Sequence, residues 1–406
     1  MLATIIGLWI FGVNSIRIAG ETHPSEFIQN AWRSQLNYGL VGIVIYLAVS
    51  FVDYKWLRWV AIPSFIVSIG LLAASLMFGE EINDTKGWLI IGSFQFQPSQ
   101  PAIAGAIVAA SVAFADLRKL HPFLQNHFFN LMLLGITTGI PFALVLLQGD
   151  VGSALVWIPL AAAIGIVGRI PFRHLAIVAL LAIMVTPLFF FFGLSEQRQS
   201  RIEVYLDMLQ DKPVDIRDEG YAAHNISTAV GSGGLTGFQA NSARATEAEQ
   251  VLDPALRDDR IKKRGASMHE QGLIPRNTAH SDFIFAVIGE RYGFRGSAFL
   301  ILAFLLLLVQ TLFTAFCARD ATGRIFAAAT TMLLFAHMFQ NIGMTLLLMP
   351  ITGIPLPFVS HGGTFLITIM GMLGIVQSIW IHRYEQPEKE EAERTVREAR
   401  TRLQPI

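Results

Sequence analysis

The residues best equipped for chemistry in this chain lie in NTAHSDFIFAVIGERYGFRG, residues 277–296. His280 and Asp282 precede seven apolar residues, FIFAVIG, and Glu290, Arg291 and Arg295 follow at once. At about 1.5 Å per helical residue those seven cover roughly 10 Å, a third of a bilayer core, so they predict a re-entrant or interfacial element and not a span. Ser281 or Asp282 would suit the cap of a short helix starting at Phe283. An ionisable group at a membrane face is equally a candidate for function. A carboxylate partly withdrawn from water holds a proton more tightly, which suits a general base.

Four further clusters carry polar groups between apolar runs. KGWLIIGSFQFQPSQ, residues 86–100, holds Trp88, Gln97 and Ser99; FQFQ alternates, and Pro98 is placed to open a helix. QGDVGSAL, residues 148–155, puts Asp150 in a hairpin, either capping the next helix or facing a polar cleft where it would hold a cation or a sugar hydroxyl. GSGGLTG, residues 231–237, includes Ser232 and is either a flexible turn or a set of backbone amides open to phosphate. It lacks the lysine and the spacing of a phosphate-binding loop. MPITGIPLPFVSHGG, residues 349–363, contains Pro355, Ser360 and His361 and predicts a proline-stiffened cavity rim. Nonhelical backbone at that depth is tolerated only where protein or a water-filled cavity satisfies it.

The elements that must position these residues are membrane helices. The chain is 53% hydrophobic and 15% charged, against about a quarter charged for globular proteins. Apolar runs at about 1–18, 37–53, 59–78, 101–117, 128–147, 151–168, 174–194, 296–318, 325–349 and 363–381 predict ten spans, the first retained and not a cleaved signal. Both ends then share one side. Lys55, Arg58, Arg118, Lys119, Arg169, Arg173, Arg319 and Arg324 occupy its short loops, against Arg33 and Lys86 opposite, so the positive-inside bias makes it cytoplasmic. Residues 195–282, with 25 of the 60 charged residues, become one large extracytoplasmic loop between helices seven and eight. Within it RIEVYLDMLQ suits a short amphipathic helix, and residues 245–271 are too polar to assign. Residues 1–381 form the transmembrane domain and 382–406 a charged cytoplasmic tail. Zero net charge gives no support to nucleic-acid binding. A single cysteine, Cys317, excludes an intramolecular disulfide.

Taken together, FQFQPSQ after Trp88, QGDVGSAL, GSGGLTG, HSDFIFAVIGERYGFRG and NIGMTLLLMPITGIPLPFVSHGG resemble the SEDS family of bacterial membrane proteins, the RodA and FtsW type. They occur in family order over nearly the whole chain. The resemblance implies an all-α polytopic fold in the bacterial cytoplasmic membrane and a peptidoglycan glycosyltransferase that polymerises lipid II onto an undecaprenyl-linked glycan strand. The usual partner is a class B penicillin-binding transpeptidase. Asp282 aligns with the family Asp regarded as catalytic and would deprotonate the acceptor 4-hydroxyl. Trp88, Gln97, Ser99, Asp150, Arg198, Arg201, Ser232, His280, Glu290, Pro355, Ser360 and His361 are the expected substrate-binding residues. Arg198, Arg201 and Arg276, or a divalent cation such as magnesium or manganese, would offset pyrophosphate charge; no other cofactor is implied.

The departures from the family pattern are specific. Gln100 and Ile103 stand where the family has Glu and Lys, and Asn277 and Thr278 replace its Pro-Glu. His361 replaces Tyr, Gly149 replaces Pro and Asn225 replaces Gln. Two other functions fit ten helices: a lipid II flippase, using His337, Gln340 and Asn341 as a pathway, or a catalytically silent scaffold for a transpeptidase. Interhelical hydrogen bonding is the plainer reading of those three side chains. GIPLPF favours the elongation type over the division type.

Overall fold

Each of the ten apolar runs is helical in the computed structural model of the chain, which describes residues 1–21, 23–82, 85–91, 94–117, 126–193, 196–210, 219–238, 267–269 and 271–384. The order begins α1 (Leu2–Gly20), α2 (Ala31–Phe51), α3 (Tyr54–Phe78), α4 (Ser99–Leu117) and α5 (His127–Leu147). It continues with α6 (Val151–Val167), α7 (Phe172–Gly193), α8 (Glu196–Leu209) and α9 (Glu219–Ser232), and ends with α10 (Ile284–Cys317), α11 (Ala321–Thr345) and α12 (Gly363–Ile381). Eight of these are long and apolar enough to cross a membrane: α1 to α5 and α10 to α12. The apolar α6, at 17 residues, meets the lower limit for a span. The chain is an all-α polytopic membrane protein. The large charged loop supplies α8, where RIEVYLDMLQ is helical, and α9. Residues 239–266 and the tail from 385 lie outside the described residues.

One departure from pure helix is a small antiparallel sheet ordered β1 (Glu80–Ile82), β2 (Thr85–Ile91) and β3 (Phe94–Phe96). The alternating FQFQ stretch contributes β3, pairing Phe96 with Leu89. Trp88 lies opposite Glu80.

Helix α11 is the central post, with His337 and Asn341 fully buried. One apolar cluster joins it to α1, α2, α10 and α12, and a second joins it to α4, α5, α6 and α12. The outer faces stay apolar, as with Trp59 and Ile62 on α3 and Phe299 and Leu302 on α10. Lipid tails are as apolar as leucine, so close packing and interhelical hydrogen bonds hold such a bundle. The Tyr46 hydroxyl on α2 accordingly donates to Gln377 Oε1 on α12 at 3.1 Å.

The FIFAVIG stretch forms the first turns of α10, and residues 284–290 are all buried. The helix then breaks at Gly293, with φ 63° and ψ −161°, before running on to Cys317. Breaking a helix frees backbone amides, and here GSGGLTG receives them. Phe294 N–H donates to the Gly234 carbonyl at 2.8 Å and Arg295 N–H to that of Leu235 at 3.2 Å. The glycine cluster is therefore a splint for the break.

A methyl group on Gly293 would lie 2.5 Å from the Gly237 nitrogen, and its φ already disfavours any side chain. Gly293→Ala is expected to lower the thermal midpoint in detergent by several degrees and reduce the folded yield. Gly70→Ala, whose new methyl meets nothing within 4 Å, should leave both unchanged.

Candidate functional site

Asp282 lies on a turn built backward from the start of α10. The N–H groups of Asp282 and Phe283 both donate to the Thr278 carbonyl, at 2.9 and 3.1 Å. Phe283 holds the N-cap position of α10, and no side chain caps it. The N-cap position thus falls one residue beyond Asp282. Its carboxylate points toward the loop between α11 and α12, where a methyl on residue 353 would lie 3.3 Å from Oδ2. Gly353, with φ 67°, is exposed, and Asp282 is half-buried.

Three consecutive carbonyls on this turn each accept a hydrogen bond from α11 or from the α11–α12 loop. Asn341 Nδ2 donates to the Asp282 carbonyl at 2.8 Å and to that of Ile354 at 2.7 Å. Ser360 Oγ donates to the Ser281 carbonyl while accepting Leu356 N–H at 2.8 Å. His361 N–H donates to the His280 carbonyl at 3.1 Å. Asp282 is therefore fixed to α11 and the α11–α12 loop through its own turn's backbone carbonyls.

That loop is held from behind by Gln35 on α2, which is fully buried. Its Nε2 donates to the carbonyls of Ser360 at 2.9 Å and Phe358 at 3.4 Å, and its Oε1 accepts Gly362 N–H at 3.2 Å. His23 supports the upstream side. Ser25 N–H donates to its Nδ1 at 3.0 Å, which makes Nε2 the protonated nitrogen that donates to Asn277 Oδ1 at 3.1 Å.

The structure distributes the other expected residues unevenly. His280, Pro355, Ser360 and His361 join Asp282, with the His280 and His361 rings 5.5 Å apart. Asp150 caps α6, accepting Ser153 N–H at 2.9 Å, and also takes a hydrogen bond from Gln97 Nε2 at 3.2 Å. Its helix abuts the same loop from the far side, since a methyl on Gly152 would collide with the Thr352 carbonyl at 2.3 Å. Glu290 is 2% exposed, and its two carboxylate oxygens accept the N–H groups of Met268 and His269. It braces the loop ahead of Asp282 from a buried position. Ser232 donates to the Ala229 carbonyl at 2.7 Å beside the Gly293 splint, and Ser99 is buried in the bundle. Arg198 and Arg201 lie on α8, which Tyr205 ties to the Leu348 carbonyl at 2.8 Å; their side chains lie outside the described residues. Gln100 and Ile103, the replaced charge pair, are 3% and 1% exposed within the bundle.

Among the described residues no three His, Cys, Asp or Glu side chains converge closely enough to hold a metal ion. The described residues thus do not build a divalent-cation site of their own.

The sequence model of the FtsW/RodA/SpoVE family of cell cycle proteins matches residues 1–246 and 260–385. The chain belongs to that family. Among family members, the peptidoglycan glycosyltransferase MrdB of Escherichia coli (strain K12) is 29% identical over 344 residues, 84% of each chain. The peptidoglycan glycosyltransferase RodA of Treponema pallidum (strain Nichols) is 26% identical, covering 93% of this chain and 96% of its own. The crystal structure of Thermus thermophilus RodA shares the fold with a TM-score of 0.64 at 23% identity, over 95% of this chain and 97% of that one. A structure described as the coordination of polymerization and crosslinking by a peptidoglycan synthase complex gives a TM-score of 0.71 at 22% identity, over 95% and 98%.

Gln35 and Gly353 escaped the sequence reading. A glutamine two residues ahead of the second apolar run, within reach of its helix, was the available signal for the first. Asn341 had been noticed as a polar residue within a span, and hydrogen bonding is what it does.

Burial holds both His280 and His361 down to about 4, with the His361 and His23 rings adding to the effect at His280. Their folded pKa values lie below the ordinary 6.5, so the unfolded chain takes up protons first as pH falls. The stability from this pair is complete above about pH 6.5 and is lost as pH falls toward 4. The thermal midpoint should therefore drop between pH 7 and 4.5, and His361→Tyr should flatten that dependence. An unchanged slope in the variant would show that the pair does not govern it.

Proposed function

We propose that the protein is an inverting peptidoglycan glycosyltransferase that polymerises lipid II, with Asp282 as its general base. The observation that carries this reading is a half-exposed carboxylate fixed through its backbone, facing an exposed glycine at the end of a membrane bundle. Asp282 takes the proton from the acceptor sugar's 4-hydroxyl as that oxygen attacks the anomeric carbon of the growing strand. The new glycosidic bond forms as the bond to undecaprenyl pyrophosphate breaks from the opposite face, which inverts configuration. Arg198, Arg201 and Arg276 offset the leaving charge. His280, Pro355, Ser360 and His361 shape the sugar side, and Trp88, Gln97 and Asp150 the adjoining wall.

The positive-inside count supports a cytoplasmic-membrane protein with both termini cytoplasmic and Asp282 on the extracytoplasmic side. Residues 1–381 make the transmembrane domain, 195–282 its large outer loop and 382–406 a cytoplasmic tail. A class B penicillin-binding protein is the proposed partner, in line with a relative described in a complex that couples polymerization to crosslinking. The burial of Gln100 and Ile103 favours an active enzyme over a silent scaffold. Removing two opposite charges together from a bundle interior costs far less than removing one.

Purified with such a partner and supplied with labelled lipid II, the protein should make long glycan strands, and Asp282→Asn should reduce the rate by a hundredfold or more. Undiminished polymer from Asp282→Asn would remove the base assignment. Polymer from neither would move the reading to the scaffold.

A further inference from the structure

At the end of the bundle remote from Asp282, a cavity of about 330 Å³ opens between α4, α6 and α11, lined by Phe114, Gly168, Arg169, Ala321, Arg324 and Ile325 among others. Arg324 and Asn341 are both on α11, 17 positions apart. At the helical rise that separates the cavity from the Asp282 frame by roughly 26 Å. The volume is at the lower end of the range for small-molecule sites.

Three features of the lining set it apart from ordinary interhelical space. The wall from α4 is a π-helical turn, Ala113–Leu117, a form common at functional sites. Arg169 sits just past the end of α6 with φ 61°, in the left-handed region where glycine is the usual choice. Keeping a long cation at a position suited to glycine requires a reason other than the turn itself. The third feature is charge. The two carboxylates adjoining the lining are already engaged, Asp116 by Arg58 at 2.8 Å and Asp320 by Arg58 at 3.8 Å, the Tyr54 hydroxyl at 3.1 Å and Gly323 N–H at 2.8 Å. Arg169 and Arg324 form no ion pair among the described residues. Among the described residues, two guanidinium groups lining one cavity are thus without an ion-pair partner, beside the positive end of the long helix α11.

We propose that this cavity is a binding site for a phosphate-ester anion, with Arg169 and Arg324 as its ligands. Guanidinium groups pair with phosphate oxygens in a fork geometry that a compact ammonium cannot reproduce. The phosphate can come from the headgroup of an anionic membrane lipid, since basic pockets between membrane helices take such headgroups, or from a soluble phosphate. The site is independent of the chemistry assigned to Asp282.

The test uses the full chain in detergent, with native mass spectrometry to count retained phosphatidylglycerol against phosphatidylcholine and a thermal-shift titration with inorganic phosphate. Arg169→Gly should fold at least as stably as the parent, because it relieves the left-handed residue, yet retain about tenfold less of the bound anion. Arg324→Gln should lose a similar amount. Arg173→Gln, a basic residue off the lining, should lose none. Loss confined to phosphatidylglycerol assigns the site to a lipid headgroup, and loss of phosphate protection as well assigns it to phosphate from either source. The proposal is overturned if the parent prefers neither anion, if Arg169→Gly binds both as the parent does, or if Arg173→Gln weakens binding as much.

Discussion

Backbone that leaves the helix at membrane depth must find hydrogen-bond partners in protein, because lipid offers none. The structure around Asp282 follows from that constraint. The turn at 278–283 and the loop at 349–362 are both nonhelical, and Ser360 and His361 of the loop join Asn341 of α11 in supplying donors to three consecutive carbonyls of the turn. Gln35 then satisfies the loop from α2. The same interactions that make the chain tolerable in a membrane hold one carboxylate at a fixed place on its rim.

The rule recurs ten residues later. Gly293 breaks α10 so that a short buried segment can enter from the rim and a long one can cross. The freed amides go to carbonyls of the GSGGLTG stretch. Glu290, just before the break, accepts two backbone amides of the segment that leads into the Asp282 turn. Charge next to FIFAVIG therefore serves the backbone, and the break lets that segment remain buried while Asp282 stays half-exposed.

Much of this was legible from residue types. Ten apolar runs gave ten helices, because length and composition alone decide what can lie in a bilayer. Seven residues between charges correctly indicated an element too short to span. The proline-rich stretch before His361 likewise had to be a loop that protein satisfies. What could not be read was which polar group meets which. Gln35 and Ser360 are 325 positions apart, and no local pattern joins them. Asp150 had two open readings, and the helix geometry made it a cap that also holds Gln97. The partners of Glu290, the amides of Met268 and His269, lay at the end of a segment too polar to assign.

Asp282 works because hydrogen bonds from Asn341 and its neighbours to the backbone of its turn hold it in place. The most direct measurement is the rate of lipid II polymerisation by Asn341→Ala, compared with the parent at matched folded fraction. Losing that donor leaves the carbonyls of Asp282 and Ile354 without it and frees the turn to shift. The rate should fall at least tenfold, about 1.4 kcal/mol in the barrier, with the KM for lipid II little changed and the carboxylate still present. A folded Asn341→Ala protein that polymerises at the parent rate would contradict the account.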